Sequence, residues 1–213
     1  MAKLNQGILG GISGTIGNVV GSSWKGINVI KSKPLSVANP RTASQVAQRG
    51  KMSNAVAFAS VINTTIIKPL WDRFASKMSG YNDFISTNIA LFTAAVPEPP
   101  VNLVLSKGKM SATEMDDATA STAGAMVQVA FTDDSGEGYK LATDELYIVA
   151  MNEDTEEIGF AAGDQTRADE YGQVTLPSTP SEGDNISIWT AFRRADGTIV
   201  SDSDYILTAT VAG

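Results

Sequence analysis

Carboxylates, lysines and tyrosines are the side chains of this sequence that could do chemistry, because it contains neither histidine nor cysteine. Glycoside hydrolysis needs only two carboxyl groups that flank the scissile bond. Neighbouring acids occur at Asp133-Asp134, Asp144-Glu145, Glu153-Asp154-Glu156-Glu157, Asp169-Glu170 and Asp202/Asp204. Nearly all of them fall at predicted turns or strand ends, where acidic side chains are usually solvated. A carboxylate-dependent hydrolase is therefore the least favoured of three interpretations, and we expect no catalytic residue.

The missing residue types also exclude most cofactor and metal sites. Without histidine there is no Ser/His/Asp or Cys/His mechanism and no usual zinc or haem site, and without cysteine there is no disulfide or thiolate ligand. Residues 133–137 loosely resemble a calcium loop but lack its twelve-residue ligand pattern. The glycines of residues 7–11 and 14–17 resemble phosphate loops, but no Gly-Lys-Ser/Thr follows them. We expect no metal and no cofactor.

Charge is distributed very unevenly along the chain. Residues 1–71 contain eight lysines and arginines and no acid, for a net charge of +8, whereas residues 97–213 contain 21 acids and six bases, for a net charge of −15. Such a split predicts a basic arm that lies against an acidic surface. Nucleic-acid phosphates are a less favoured partner, because eight charges over 71 residues form a thin stripe. Residues 4–24 are uncharged but too polar to span a membrane, so no membrane contact is expected.

Four segments are predicted from the pattern of glycine, proline and apolar residues. Residues 1–38 form a glycine-rich basic arm, in which glycine spacing favours extended strands and tight bends. Residues 39–96 are helical, beginning at the stop-and-cap signal Asn39-Pro40-Arg41-Thr42. Residues 97–100, Pro-Glu-Pro-Pro, form a stiff linker and the expected domain boundary.

Residues 101–213 contain seven short strand-like runs separated by turn residues, which indicates an antiparallel sandwich. The runs are residues 101–107, 125–131, 145–151, 158–161, 173–176, 185–192 and 199–205. The predicted fold class is therefore α+β, with an N-terminal glycine-rich β arm, a helical region and an acidic immunoglobulin-like β-sandwich. The cysteine pair of antibody domains is missing, so the similarity is to the wider sandwich class. Because the strand pattern is self-contained, we expect residues 101–213 to fold alone.

Two stretches of the sequence resemble a protein family of unassigned function that is widespread in Bacteroidota genomes and their phages. The first is GGISGTIGNVVGSSWKG of residues 10–26, followed by KSKP of residues 31–34 and NPRTASQ of residues 39–45. The second is AFRRADG of residues 191–197 with VSDSDY of residues 200–205. The family more often has arginine at Lys31 and Lys33, which argues against bidentate recognition there. The resemblance brings no catalytic residue and implies a phage-associated structural role.

These observations favour a non-enzymatic structural component of a phage virion, either capsid-associated, a head–tail connector or ring, or a tail protein. Its arm would dock onto further copies or other virion proteins, and Trp24 would anchor the arm by burial. The expected assembly residues are apolar or basic: Ile8, Leu9, Val19, Val20, Trp24, Lys25, Lys31, Lys33 and Arg41. The alternative is a module that binds glycan or a host surface through exposed aromatics, for which the candidates are Tyr139, Tyr147, Tyr171 and Trp189.

Overall fold

A computed structural model describes residues 3–4, 12–25, 27–36, 39, 41–122 and 124–211. The chain divides into two compact units, Met1–Gln45 and Val46–Gly213. The first contains a small antiparallel sheet, and the second contains nearly all of the helical residues and a larger sheet. The protein is therefore a mixture of helices and mostly antiparallel strands, which confirms the α+β class at that level.

The small sheet is built from the glycine-rich arm. Its strands, in spatial order, are β1 (Lys3–Leu4), β2 (Ile12–Ile16), β3 (Val19–Trp24) and β4 (Ile27–Ser32). Gly17 makes the turn between β2 and β3 at a φ of +55°, a conformation that costs glycine little because it has no Cβ. The pattern from Trp24 to Lys31 predicts one strand, but the chain turns at Lys25, where φ is +44°.

The helical region begins with α1 at Ala43, directly after the stop-and-cap signal of residues 39–42. Thr42 and Gln45 form a reciprocal capping box, in which each backbone N–H donates to the other side chain at 3.4 Å. Helix α1 (Ala43–Ile62) runs through a π-helical turn (Asn63–Ile67) into α2 (Lys68–Trp71). Pro69 accounts for the π turn, because it has no N–H and its ring crowds the preceding helical turn. Ser79 caps α3 (Gly80–Asn88) by accepting from the Asn82 N–H.

The large sheet contains seven strands in the order β8-β7-β10-β11-β5-β6-β9. Their bounds are β5 (Met115–Ser121), β6 (Met126–Phe131), β7 (Glu145–Asn152), β8 (Ile158–Thr166), β9 (Tyr171–Thr175), β10 (Asn185–Arg193) and β11 (Asp204–Val211). All neighbours are antiparallel except β11 and β5. A strand was predicted at residues 101–107, but this segment contains only a 3-10 turn, and β5 was not predicted.

Strands β7 and β10 are buried on both faces and lie at the centre of the large unit. One face carries Leu146, Ile148, Ile188 and Phe192, which pack with apolar residues of β6 and β9. The other face carries Tyr147, Val149, Met151, Trp189 and Ala191, which pack with the helices. A stack of helices, central strands and outer strands results, in which each layer covers apolar side chains of the next.

The Pro-rich segment at residues 97–100 does not separate two cores. Buried residues on both sides of it, including Phe58 and Phe84 before it and Trp189 after it, belong to one hydrophobic cluster. The Trp189 indole N–H also donates to the Pro100 carbonyl at 2.9 Å. The boundary between compact units lies instead at Gln45, within the first turn of α1. Prolines break a helix, but they do not prevent the flanking segments from packing together.

Candidate functional site

Asp134 and Asp144, from two of the acidic clusters, belong to a buried ionic network. The Arg167 side chain is fully buried, contacts Asp134 and Thr113 through Nη1, and lies 3.4 Å from Asp144 Oδ2 through Nη2. Lys140 Nζ contacts Asp134 and donates to the Ala112 carbonyl at 3.1 Å. The Arg167 guanidinium also lies 4.0 Å from the centroid of a core phenylalanine ring. These carboxylates are held by cations, so the network fixes loops of the large unit.

Replacement of Asp134 by asparagine is expected to reduce the loss of stability in acid. Partial burial raises the pKa of the Asp134 carboxyl, but the hydrogen bond from Lys140 and the charges of Arg167 and Lys140 lower it below the ordinary value. The pKa of Asp134 is lower in the folded state than in the unfolded state. Its ionised carboxylate therefore stabilises the fold above about pH 4, and this stabilisation is lost as the pH falls through the folded-state pKa. Urea unfolding at pH 7, 4 and 3 should show a smaller decline for Asp134→Asn than for Asp117→Asn, an exposed control. Equal declines in the two variants would contradict this assignment.

The remaining acids mostly fasten turns. Asp133 accepts from both the backbone N–H and the hydroxyl of Ser135, at 2.9 and 3.2 Å. Asp202 accepts from the Gly108 N–H, and Asp204 accepts from the Met115 N–H. Within the described ranges, no group of three or more acidic side chains is arranged to hold a metal ion. The glycine-rich phosphate-loop interpretation also fails at residues 14–17, since these glycines lie in a β-hairpin.

From residue 13 to residue 32, the small sheet exposes nearly all of the side chains that the structure describes. Of the described residues between 13 and 36, Gly21 alone is buried, and all six residues of β4 are exposed. The Trp24 side chain is 58% exposed, and Ile30 reaches 66%. Trp24 therefore does not anchor the arm within the single chain. Large apolar side chains at this exposure are typical of a surface that another molecule covers.

The strand register divides these apolar residues between the two faces of the sheet. Trp24 lies opposite Ile27, Ser22 opposite Val29, and Val20 opposite Lys31. Because cross-strand partners and alternate residues share a face, one face carries Val20, Trp24, Ile27, Val29 and Lys31. We call this set face A. The opposite face carries Ile16, Val19 and Ile30, so both faces present apolar surface.

Strand β4 is also an edge of the small sheet. One row of its backbone N–H and C=O groups therefore lacks a strand partner among the described residues. Exposed apolar edge strands pair readily with strands of other chains unless charge, proline or a bulge prevents it. Lys31 is the single charged residue of β4, and Pro34 lies just beyond its end. Face A and this edge together form the candidate assembly surface.

The structure brings together only some of the predicted assembly residues. Val20, Trp24 and Lys31 share face A, and Val19 lies on the opposite face. Lys25 occupies the turn after β3, and Lys33 follows β4, where its N–H donates to the Asn18 carbonyl at 2.7 Å. Arg41 is exposed just before α1, and Ile8 and Leu9 lie outside the described residues. Ile27, Val29 and Ile30 were not predicted as assembly residues, although their place in a predicted strand was a usable signal.

Of the four aromatic residues predicted to bind glycan, two are buried and two are exposed. Trp189 and Tyr147 are buried in the core, so they cannot contact a glycan. Tyr139 and Tyr171 are exposed. Tyr171 lies in a shallow groove with polar neighbours Asp117, Thr119 and Gln128 on β5 and β6.

Comparison with known proteins supplies a family but no activity. The sequence profile of a family of unknown function (DUF6266) matches residues 11–207. A search of curated proteins finds no significant match. None of the helices in the described ranges combines the length and hydrophobicity needed to cross a membrane.

Proposed function

We propose that this chain, which belongs to the family of unknown function DUF6266, is a non-enzymatic structural component of a phage virion that docks through its N-terminal arm. The observation that carries the proposal is the exposed small sheet, with apolar residues on both faces and an open edge at β4. Its place in a virion, as a capsid-associated, connector or tail protein, rests on the resemblance of both ends of the sequence to a family found in phages of Bacteroidota.

The occupant of face A is a second copy of this chain. The acid-free segment of residues 1–71 carries +8, and residues 97–213 carry −15, so the arm of one copy is attracted to the large unit of the next. A head-to-tail contact of this kind is heterologous, and it closes into a ring or extends into a tube. Burial of each large apolar side chain of face A stabilises the contact by up to about 1.5–3 kcal/mol.

The large unit supports an immunoglobulin-like assignment. Its first, second and fifth strands pair together (β5, β6 and β9), and its third, fourth, sixth and seventh strands form the other half (β7, β8, β10 and β11). The first and last strands run parallel where the two halves join. This division is consistent with the wider Greek-key sandwich class, although the fourth strand pairs with the third rather than the fifth. The helices on its outer face are an addition to that architecture.

Light scattering coupled to gel filtration tests the proposal. The full chain is expected to form rings or higher oligomers, and deletion of residues 1–38 should leave a monomer. Double replacement Trp24→Ser/Ile27→Ser on face A should also give a monomer. The control is Leu35→Ser, which removes an equally exposed apolar residue beyond β4 and should leave the oligomer intact.

Salt separates the two forces in this contact. Raising the salt concentration should slow association more than it weakens the finished assembly, because only exposed charges are screened. If the full-length chain stays monomeric but binds an acidic particle protein, that protein and not a second copy is the occupant of face A. A full-length monomer that binds neither would overturn the structural function.

The alternative function is a glycan- or host-surface-binding module. Tyr171 supports it, because an exposed aromatic ring beside amide, hydroxyl and carboxyl groups can stack on a sugar and bind its hydroxyls. A glycan array with the parent and Tyr171→Ala distinguishes the two functions. Binding that is lost in Tyr171→Ala, by a chain that stays monomeric, would favour the module.

A further inference from the structure

An amphipathic cavity opens in the large unit, and its function would be independent of the proposed assembly. It has a volume of about 650 Å³ and is lined by Leu70 and Trp71 of α2, by Phe74 in the turn after α2, and by Val200 near the start of the last strand. Leu70, Trp71 and Val200 are buried, and Phe74 and Tyr139 are exposed at its margin. This volume lies within the usual range for small-molecule sites.

Two lysines, Lys107 and Lys109, line the same cavity. Their contacts differ from those of the other lysines and arginines in residues 101–211. Between residues 101 and 211, Lys140, Arg167 and Arg193 form ion pairs, and Arg194 donates to the Tyr139 carbonyl at 2.7 Å. Lys107 and Lys109 are exposed and form no ion pair within the described part of the chain. Both therefore remain available to an anion at the cavity.

The backbone that carries the two lysines is held in place. Gly108, between them, donates its N–H to Asp202 at 3.1 Å, and Met110 donates to the Val200 carbonyl at 3.3 Å. A Cβ at Gly108 would lie 1.7 Å from the Val200 oxygen, so only glycine allows this close approach. A fixed loop reduces the ordering cost of binding, because less conformational freedom is lost.

The charged residues that line the cavity have a positive balance. They are Lys107, Lys109 and one carboxylate, Asp83. Asp202 does not line the cavity, and its carboxylate accepts from the Gly108 N–H. Two lysines thus face one carboxylate within the lining, beside an aromatic and aliphatic wall. The arm of a second copy is an unsuitable occupant, because it is itself basic. An anion with an apolar body matches both parts of the lining.

We propose that this cavity binds a small amphipathic carboxylate, with its hydrocarbon or aromatic body against Trp71 and Phe74 and its carboxylate between Lys107 and Lys109. The apolar wall supplies affinity by burial, and the lysines select the charged head over a neutral one.

Calorimetric titration of the full chain with 4-phenylbutyrate and with 4-phenylbutanol tests this inference, since the two probes differ chiefly in the anionic head. The acid is expected to bind at least about tenfold more tightly, which corresponds to ~1.4 kcal/mol. Lys107→Gln/Lys109→Gln should abolish this preference and leave the weak binding of the alcohol unchanged. Phe74→Ser should weaken both probes.

The control is Lys68→Gln, which removes an exposed lysine of α2 that does not line the cavity, and it should leave both titrations unchanged. Thermal melting verifies that each variant is folded before titration. Equal binding of acid and alcohol, a preference that persists in the double lysine variant, or no binding of either probe at millimolar concentration would overturn the site.

Discussion

Replacement of Arg167 by alanine is expected to lower the free energy of unfolding by about 3–5 kcal/mol. The substitution removes a cation that is completely buried and leaves Asp144, also completely buried, without its partner. An uncompensated buried carboxylate is costly because the interior solvates it poorly. Asp134 would keep Lys140, so most of the loss comes from Asp144 and from the space left beside the aromatic ring. Urea unfolding at neutral pH measures the change.

Arg193→Ala is the matched control for this prediction. Arg193 Nη1 lies 3.0 Å from Glu145 Oε2, but both side chains are partly exposed, so solvent screens the pair. Its loss should cost less than about 1 kcal/mol. Arg167→Lys keeps the charge but not the planar fork, and it should fall between the parent and Arg167→Ala. Similar losses for Arg167→Ala and Arg193→Ala would show that burial of the network contributes little.

The importance of Arg167 could not be predicted from its sequence neighbours. It is followed by Ala168, Asp169 and Glu170, a composition typical of a solvated turn. Its charged partners Asp134 and Asp144 are 33 and 23 residues away, and Thr113 is 54 residues away. Only the pairing of strands brings these positions together. The local sequence predicted a turn, but only the tertiary structure shows that Arg167 in this turn pairs with Asp134 and Asp144.

The exposed arm shows a different limit of sequence reasoning. Trp24, a large side chain among small residues and glycines, is predicted to anchor the arm by burial, and its residue type does not say which molecule covers it. The side chain is exposed instead, together with Ile27 and Val29 on the same face. Hydropathy predicts that a surface will be covered, but it does not say by which molecule. The charge split between residues 1–71 and 97–213 is the sequence feature that indicates contact with another molecule.

Elements with strong local signals were predicted well. The stop-and-cap signal of residues 39–42 directly precedes α1, and the apolar runs of β7 and β10 lie where expected. What was missed is that these strands are buried on both faces. The alternation Ile186, Ile188, Phe192 describes the face toward the outer strands, while Trp189 lies toward the helices. A near-continuous apolar run is the usual sign of a strand covered on both faces.

Because β7 and β10 are buried on both faces, we no longer expect residues 101–213 to fold alone. In that fragment the helices are missing, and the face of β7 and β10 that carries Tyr147, Val149 and Trp189 becomes exposed. Hydrogen bonds to the helices are lost as well. Trp71 donates to the Leu105 carbonyl at 2.8 Å, and Asn88 both donates to and accepts from the Val104 backbone at 3.0 and 2.9 Å.

Residues 46–213 are therefore expected to unfold in one cooperative thermal transition, whereas residues 101–213 should show a weak or absent transition and bind the apolar dye ANS. Within 46–213, Phe58→Ala should cost about 3–5 kcal/mol, because its ring packs against Phe84, Phe92 and Trp189 across the interface between helices and strands. Val61→Ala, at an exposed position of α1, is the control and should cost little. A cooperative transition of residues 101–213 close to that of 46–213 would show that the sandwich is stable without the helices, and that residues 97–100 are a true domain boundary.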